Sequence, residues 1–187
     1  MFERLDTSVP GVAIIRPRVL VDSRGFFLET YHTARFAEIG IRDTFVQDNH
    51  SCSRRGTLRG LHYQLHHPQA KLCRVIRGEV FDVAVDIRLG SPTFGKWTSA
   101  VLSAENKQQI YIPRGFAHGF LVLSEEAEFL YKCSDFYDST SEHGVLWCDP
   151  QLAISWCISN PTLSDKDSRY LRLAEIPPEL LPRCEHP

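Results

Sequence analysis

Phe81-Asp82-Val83-Ala84-Val85-Asp86-Ile87-Arg88 is the stretch that decides the fold class. Phe81, Val83, Val85 and Ile87 fall on one face, and Asp82, Asp86 and Arg88 on the other, which is the period-two pattern of a strand with one face in a core. Working outward, residues from about 10 to 160 repeat this pattern in short runs bounded by glycine, proline and polar turns. Further strands are expected at 11–21, 25–30, 44–53, 58–64, 70–76, 97–103, 108–112, 119–123 and 128–133. A spacing of roughly ten residues suits an all-β jelly roll. Helical signals interrupt it at 33–39, ending on Gly40, and at Ser164-Asp165-Lys166-Asp167, which has the form of a capping box. A short helix is expected near 178–181.

Composition narrows the class. The 187 residues suffice for one domain with a real core, read as 1–187, with 43% hydrophobic and 24% charged residues. A formal charge of -2 offers no bulk attraction to polyanions, so neither nucleic acid nor a membrane is expected as a partner. The six cysteines form no C-x-x-C pair and the segment MFERLDTSVPG lacks the marks of a signal peptide, so a cytoplasmic, thiol-reduced protein is expected. G-x-G-x-x-G and G-x-x-x-x-G-K-[ST] phosphate loops are absent from the sequence.

Histidines suggest chemistry. His62, His66 and His67 lie close together, and His118 closes Pro113-Arg114-Gly115-Phe116-Ala117-His118. A strand-borne metal site wants a second histidine two residues on and an acidic ligand later. Here Gln64 stands two residues after His62, and Lys71, a cation, follows seven residues after Gln64. Histidine with lysine points instead to proton abstraction beside a developing oxyanion. Arg24, Arg54, Arg55, Arg59 and Arg77 suit a diphosphate, or equally solvated strand edges. Tyr131 and Tyr137 offer a proton donor or a sugar platform, or ordinary strand burial. Asp167 can orient His62, or merely occupy the third position of a capped helix.

These residues sit within longer motifs. Gln47-Asp48-Asn49-His50-Ser51 leads into Gly56-Thr57-Leu58-Arg59-Gly60-Leu61-His62-Tyr63-Gln64. Then come Gln69-Ala70-Lys71, the run 80–88, Ser91-Pro92-Thr93-Phe94-Gly95, the run 112–120 and Leu163-Ser164-Asp165-Lys166-Asp167. In this order the chain resembles the dTDP-4-dehydrorhamnose 3,5-epimerase family over residues 20 to 170. The resemblance implies a cupin-like jelly roll, a homodimer, no metal, no cofactor and a dTDP-4-keto-6-deoxyhexose substrate. It implies His62 as base, Asp167 as its dyad partner, Lys71 as the cation near the C4 oxygen, and Tyr131 as the acid that reprotonates C5. Binding roles fall to Arg24, Glu29, Gln47, Asn49, Arg59, His118, Glu142 and Lys166, with Phe27 on the thymine side and Tyr137 near the sugar. His118 is expected to bind ligand rather than metal because no acidic partner completes a coordination set. Cys73, Cys148 and Cys157 depart from the family's usual small or apolar residues.

The implied reaction inverts C3 and C5 of dTDP-4-dehydro-6-deoxy-D-glucose, giving dTDP-4-dehydro-L-rhamnose on a route to cell-wall polysaccharide. The alternative is inversion at a single centre in another deoxysugar pathway. Rivals of other classes are a metal-dependent oxygenase or isomerase on the same fold and a sugar-nucleotide binding module without chemistry.

Overall fold

The computed structural model describes residues 2–184. Its strands are β1 (Phe2–Asp6), β2 (Ala13–Pro17), β3 (Val19–Asp22), β4 (Gly25–Leu28), β5 (Gln47–Arg54), β6 (Leu58–Gln64), β7 (Lys71–Arg77), β8 (Glu79–Asp86), β9 (Trp97–Ser103), β10 (Gln109–Ile112), β11 (Phe116–Val122), β12 (Glu126–Cys133) and β13 (Glu142–Gly144). Helix α1 (Thr33–Glu38) lies between β4 and β5, and single 3₁₀ turns form at Asp167–Arg169, Leu173–Glu175 and Pro178–Leu180. One sheet runs β1-β2-β10-β7-β12-β5, the other β13-β6-β11-β8-β9, and among the described residues β3 and β4 pair only with each other. The order crosses between distant strands in both sheets, as a cupin-like jelly roll requires.

Three apolar layers hold this sandwich. Between the sheets lie Val75, Val80, Ala84, Leu102, Ile110, Phe116, Phe120 and Phe129. Outside the six-stranded sheet, Phe36 of α1 and Ile41 pack on Phe2, Ile15 and Leu72. Outside the five-stranded sheet, Leu152, Trp156, Leu173, Ile176 and Leu181 cover Leu61, Val83, Val85, Ile87 and Leu121. That outer cover is pinned by hydrogen bonds: Trp97 Nε1 donates to the Leu152 carbonyl at 2.8 Å and Tyr63 Oη to the Leu180 carbonyl at 2.9 Å.

The run at 81–88 therefore needs correcting. Its Val83-Val85-Ile87 face is buried as expected, but it meets the C-terminal cover, and the opposite face is buried too, with Asp82 and Asp86 both 0% exposed. The cover is made of turns without strand periodicity, so alternation along β8 cannot announce it. Asp86 is satisfied by Arg88, whose Nη2 donates at 2.7 Å, and by the hydroxyls of Ser91 and Thr93. These donors outweigh burial and hold its carboxyl below the usual range.

Other boundaries also moved. The expected strand 11–21 splits after Pro17, whose missing N–H ends the ladder. Strands β1 and β13 were not expected: β13 has three residues, too few to show alternation. The capping box yields one 3₁₀ turn only, with the Asp167 N–H donated to Ser164 Oγ at 3.1 Å. At α1, Gly40 takes the left-handed conformation (φ 84°) and donates to the Ala37 carbonyl, ending the helix as expected.

Candidate active site

Two glycines explain how His62 and Arg59, three residues apart on β6, both enter the space between the sheets. Strict alternation would send them to opposite faces. Opposite them on β11, His118 pairs with His62 but Phe120 pairs with Arg59, so β6 carries one extra residue here. Such a bulge re-aims side chains and is frequent beside active sites. It requires close backbone contact: a Cβ on Gly60 would stand 2.6 Å from Gly119 Cα, and one on Gly119 would stand 2.7 Å from the Arg59 carbonyl oxygen. Gly60 also has φ 122°, closed to ordinary side chains.

The resulting cavity, about 290 Å³, is lined by Asn49, His50, Ser51, Arg59, His62, Lys71, His118, Phe120, Phe129, Tyr131 and Glu142. Behind it His62 Nε2 donates to Asp167 Oδ1 at 2.7 Å, and the Gly60 N–H donates to Asp167 Oδ2 at 3.4 Å. Burial pushes the Asp167 carboxyl up, but the hydrogen bond and charge of His62, with the Gly60 N–H, outweigh it and hold it below its ordinary range. An ionised carboxylate only accepts, so Nε2 carries the proton and Nδ1 keeps a lone pair. That is the tautomer of a general base. Because the folded carboxyl is more acidic than the unfolded one, the dyad stabilises the fold fully above pH of about 4 and loses that contribution as pH falls through the lower folded value. Asp167→Asn is expected to flatten the decline of the urea midpoint between pH 4 and 2.

Tyr131 faces His62 from the other sheet. Burial pushes its phenol up to about 12, so it is protonated at neutral pH and able to donate. Lys71, on neighbouring β7, has its Nζ 5.9 Å from the Tyr131 ring centroid. No hydrogen-bond or ion-pair partner for that ammonium exists among the described residues, which leaves it available to a negative charge on a ligand.

His118 corrects one expectation. It does have an acidic partner: its Nε2 lies 3.0 Å from both Asp82 oxygens, fully inside the sandwich. Burial lowers its affinity for a proton more than Asp82 restores it. Cys73, Asp82 and His118 bring potential metal-ligating atoms within 4.8 Å of one another. The charge of Lys71 acts on both Cys73 and His118, and opposes a cation there.

At the mouth, Glu142 accepts from Tyr137 Oη at 2.8 Å and from Lys166 Nζ at 2.6 Å. Gln47 accepts the Tyr137 N–H and donates to Asn49, so these five expected residues form one connected rim. Arg24, Phe27 and Glu29 do not join it. Arg24 pairs with Asp22 at the tip of the β3–β4 hairpin, and Glu29 pairs with Arg35. Phe27 and Glu29 border a separate groove of about 610 Å³. Sequence reasoning missed His50, Ser51, Phe120 and Phe129 in the lining, and Asp82 behind it. Only the small-residue pair Gly60 and Gly119 offered a signal.

An imidazole and a phenol on opposite walls, an unpaired ammonium between the sheets and a polar rim are the equipment of an acid–base enzyme of the cupin-like jelly-roll class. A family model described as dTDP-4-dehydrorhamnose 3,5-epimerase matches residues 6–175. A protein of that name from Shigella flexneri is 57% identical over 165 residues, covering 87% of this chain and 91% of the relative. A Legionella pneumophila 3,5-epimerase solved with dTDP-4-keto-L-rhamnose superposes with a TM-score of 0.97 at 52% identity, covering 100% of both chains. A dTDP-4-dehydrorhamnose 3-epimerase from Streptomyces niveus is 45% identical over 169 residues, covering 89% of this chain and 82% of its own. The chain belongs to the dTDP-4-dehydrorhamnose 3,5-epimerase family.

Proposed function

We propose that the protein inverts C3 and C5 of dTDP-4-dehydro-6-deoxy-D-glucose to give dTDP-4-dehydro-L-rhamnose. The observation that carries this reading is that His62 and Tyr131 project from opposite sheets into one cavity, so a sugar between them meets base and acid on opposite faces. The C4 ketone acidifies the protons on C3 and C5. His62 Nδ1 removes one, the electron pair moves to O4 as an enolate, and Lys71 stabilises the charge. Tyr131 returns a proton from the other face and the centre is inverted. Arg59, Asn49, His118, Gln47, Tyr137, Glu142 and Lys166 hold the sugar nucleotide. Incubation with the substrate in heavy water, followed by NMR, is expected to show deuterium at both C3 and C5. Exchange at one carbon assigns a single-centre epimerase, and exchange at neither overturns the reading.

We also propose that residues 1–187 work as one domain within a homodimer. The β3–β4 hairpin supports this, since it pairs with no other strand while Leu20, Val21, Phe26 and Phe27 are 50%, 78%, 60% and 68% exposed. Such a patch on an unpaired ribbon is the mark of an interface. Seated on a second copy, the hairpin would carry Arg24, Phe27 and Glu29 toward that copy's rim, which would reconcile their expected binding roles with their distance from the cavity of their own chain. Light scattering is expected to give twice the chain mass, and a fully active monomer would overturn the dimer. The free thiols of Cys52, Cys73, Cys133, Cys148 and Cys157 support a cytoplasmic location. Among the described residues no helix is long and apolar enough to cross a membrane.

A further inference from the structure

The 3₁₀ turn Asp167–Arg169 that delivers Asp167 to His62 is capped by Tyr170. Side chains three apart in such a turn eclipse one another, so Asp167 and Tyr170 leave it on the same side. Both reach His62. The carboxylate accepts its Nε2–H, while the Tyr170 ring meets the imidazole edge to face, with centroids 5.9 Å and planes 73° apart. This is a favourable geometry for aromatic pairs.

The backbone beneath is cut to admit that ring. Gly144 of β13 is the register partner of His62, and a Cβ on it would overlap Cε2, Cζ and Cδ2 of Tyr170. Its φ lies outside the left-handed region, so glycine is required there for space rather than for a turn. Among the described residues the buried Tyr170 hydroxyl has no hydrogen-bond partner, and the contact with His62 runs through the ring.

A single hydrogen bond fixes one atom of an imidazole and leaves the ring plane free to swing about it; a second contact is needed to aim Nδ1. We propose that Tyr170, seated on Gly144, is a positioning residue for His62 that holds the ring plane so that Nδ1 stays directed into the cavity. The inference rests on the acid–base reading above, in which Nδ1 is the base.

Tyr170→Leu keeps apolar bulk without the ring, Tyr170→Phe keeps the ring, and Gly144→Ala drives the ring out of its slot. In Tyr170→Leu and Gly144→Ala, kcat is expected to fall at least about tenfold with KM within about threefold, while Tyr170→Phe stays within about twofold of the parent. The Gly144→Ala/Tyr170→Leu double variant is expected to be no worse than the poorer single one, because both remove the same contact. ¹⁵N NMR of the free protein reads the His62 tautomer without substrate: Nε2–H alone in the parent and Tyr170→Phe, and a mixture in Tyr170→Leu, where the swinging ring also leaves its bond to Asp167 part of the time. An unchanged tautomer and kcat in Tyr170→Leu, or an equal loss in Tyr170→Phe, overturns the proposal. If the parent itself shows no exchange with the sugar nucleotide, the reading of function has failed, and the tautomer spectra still decide whether Tyr170 positions His62.

Discussion

His62→Gln is expected to lower kcat by about 10³-fold, with deuterium entry lost at C3 and C5 together. Glutamine is chosen because its amide nitrogen reaches the position of Nε2 and can still donate to Asp167, whose buried carboxylate, 3% exposed as a residue, would otherwise lose the donor that offsets its burial. The fold and the rim formed by Gln47, Asn49, Tyr137, Glu142 and Lys166 are then unperturbed, and KM is expected to stay within a few-fold. The amide has no basic nitrogen to replace Nδ1. A general base contributes about 10² to 10⁴ in rate, and the other two imidazoles of the cavity wall are both held by carboxylates, His50 by Glu128 at 3.1 Å. His118 is committed to Asp82, and Tyr131, pushed up to about 12, is a proton donor at neutral pH. Loss at both carbons would tie the two inversions to one base. Exchange persisting at one carbon would mean a second base serves it, and normal turnover would overturn the role of His62 altogether.

What the sequence discloses, and what it hides, follows from how each feature is encoded. Strands such as β6, β8, β9 and β12 announce themselves because each alternates, and His62, Lys71 and Tyr131 sit on such strands. Alternation reports that two faces differ, and it does not report whether both are covered. Asp82 thus looks like a solvent residue, although the sandwich interior lies on its side of β8 and His118, 36 residues away, is its partner. The bulge at Gly60 is equally silent, since a period-two reading would turn Arg59 away from His62. Asp167 is legible through the family's motif, but its neighbour Tyr170 becomes meaningful only once the segment proves to be a 3₁₀ turn that eclipses the two. Arg24, Phe27 and Glu29 come from resemblance alone, and in the fold they lie on or beside the β3–β4 hairpin, away from the cavity of their own chain.

Lys71→Met tests the opposite side of the chemistry, and its two expected effects have opposite signs. In the resting protein the ammonium is half-buried on β7 between Ile112 and Cys133, with no anionic partner among the described residues. A charge held this way costs folding free energy, and methionine fills similar volume without it. The urea midpoint of Lys71→Met is therefore expected to equal or exceed that of the parent. Catalysis should suffer, because the charge that arises on O4 appears only as the proton leaves, and a preorganised cation in a water-poor cavity acts mostly on that state. Removing such a donor lowers kcat by about 10² to 10³, or about 3–4 kcal/mol, with little change in KM. Turnover within about threefold of the parent would mean that the enolate is stabilised elsewhere, with Arg59 the remaining cation in the cavity lining. A fall in both stability and activity would mean that Lys71 serves the fold. Only the divergence of the two, a firmer protein that turns over slowly, marks an ammonium kept unpaired for the substrate.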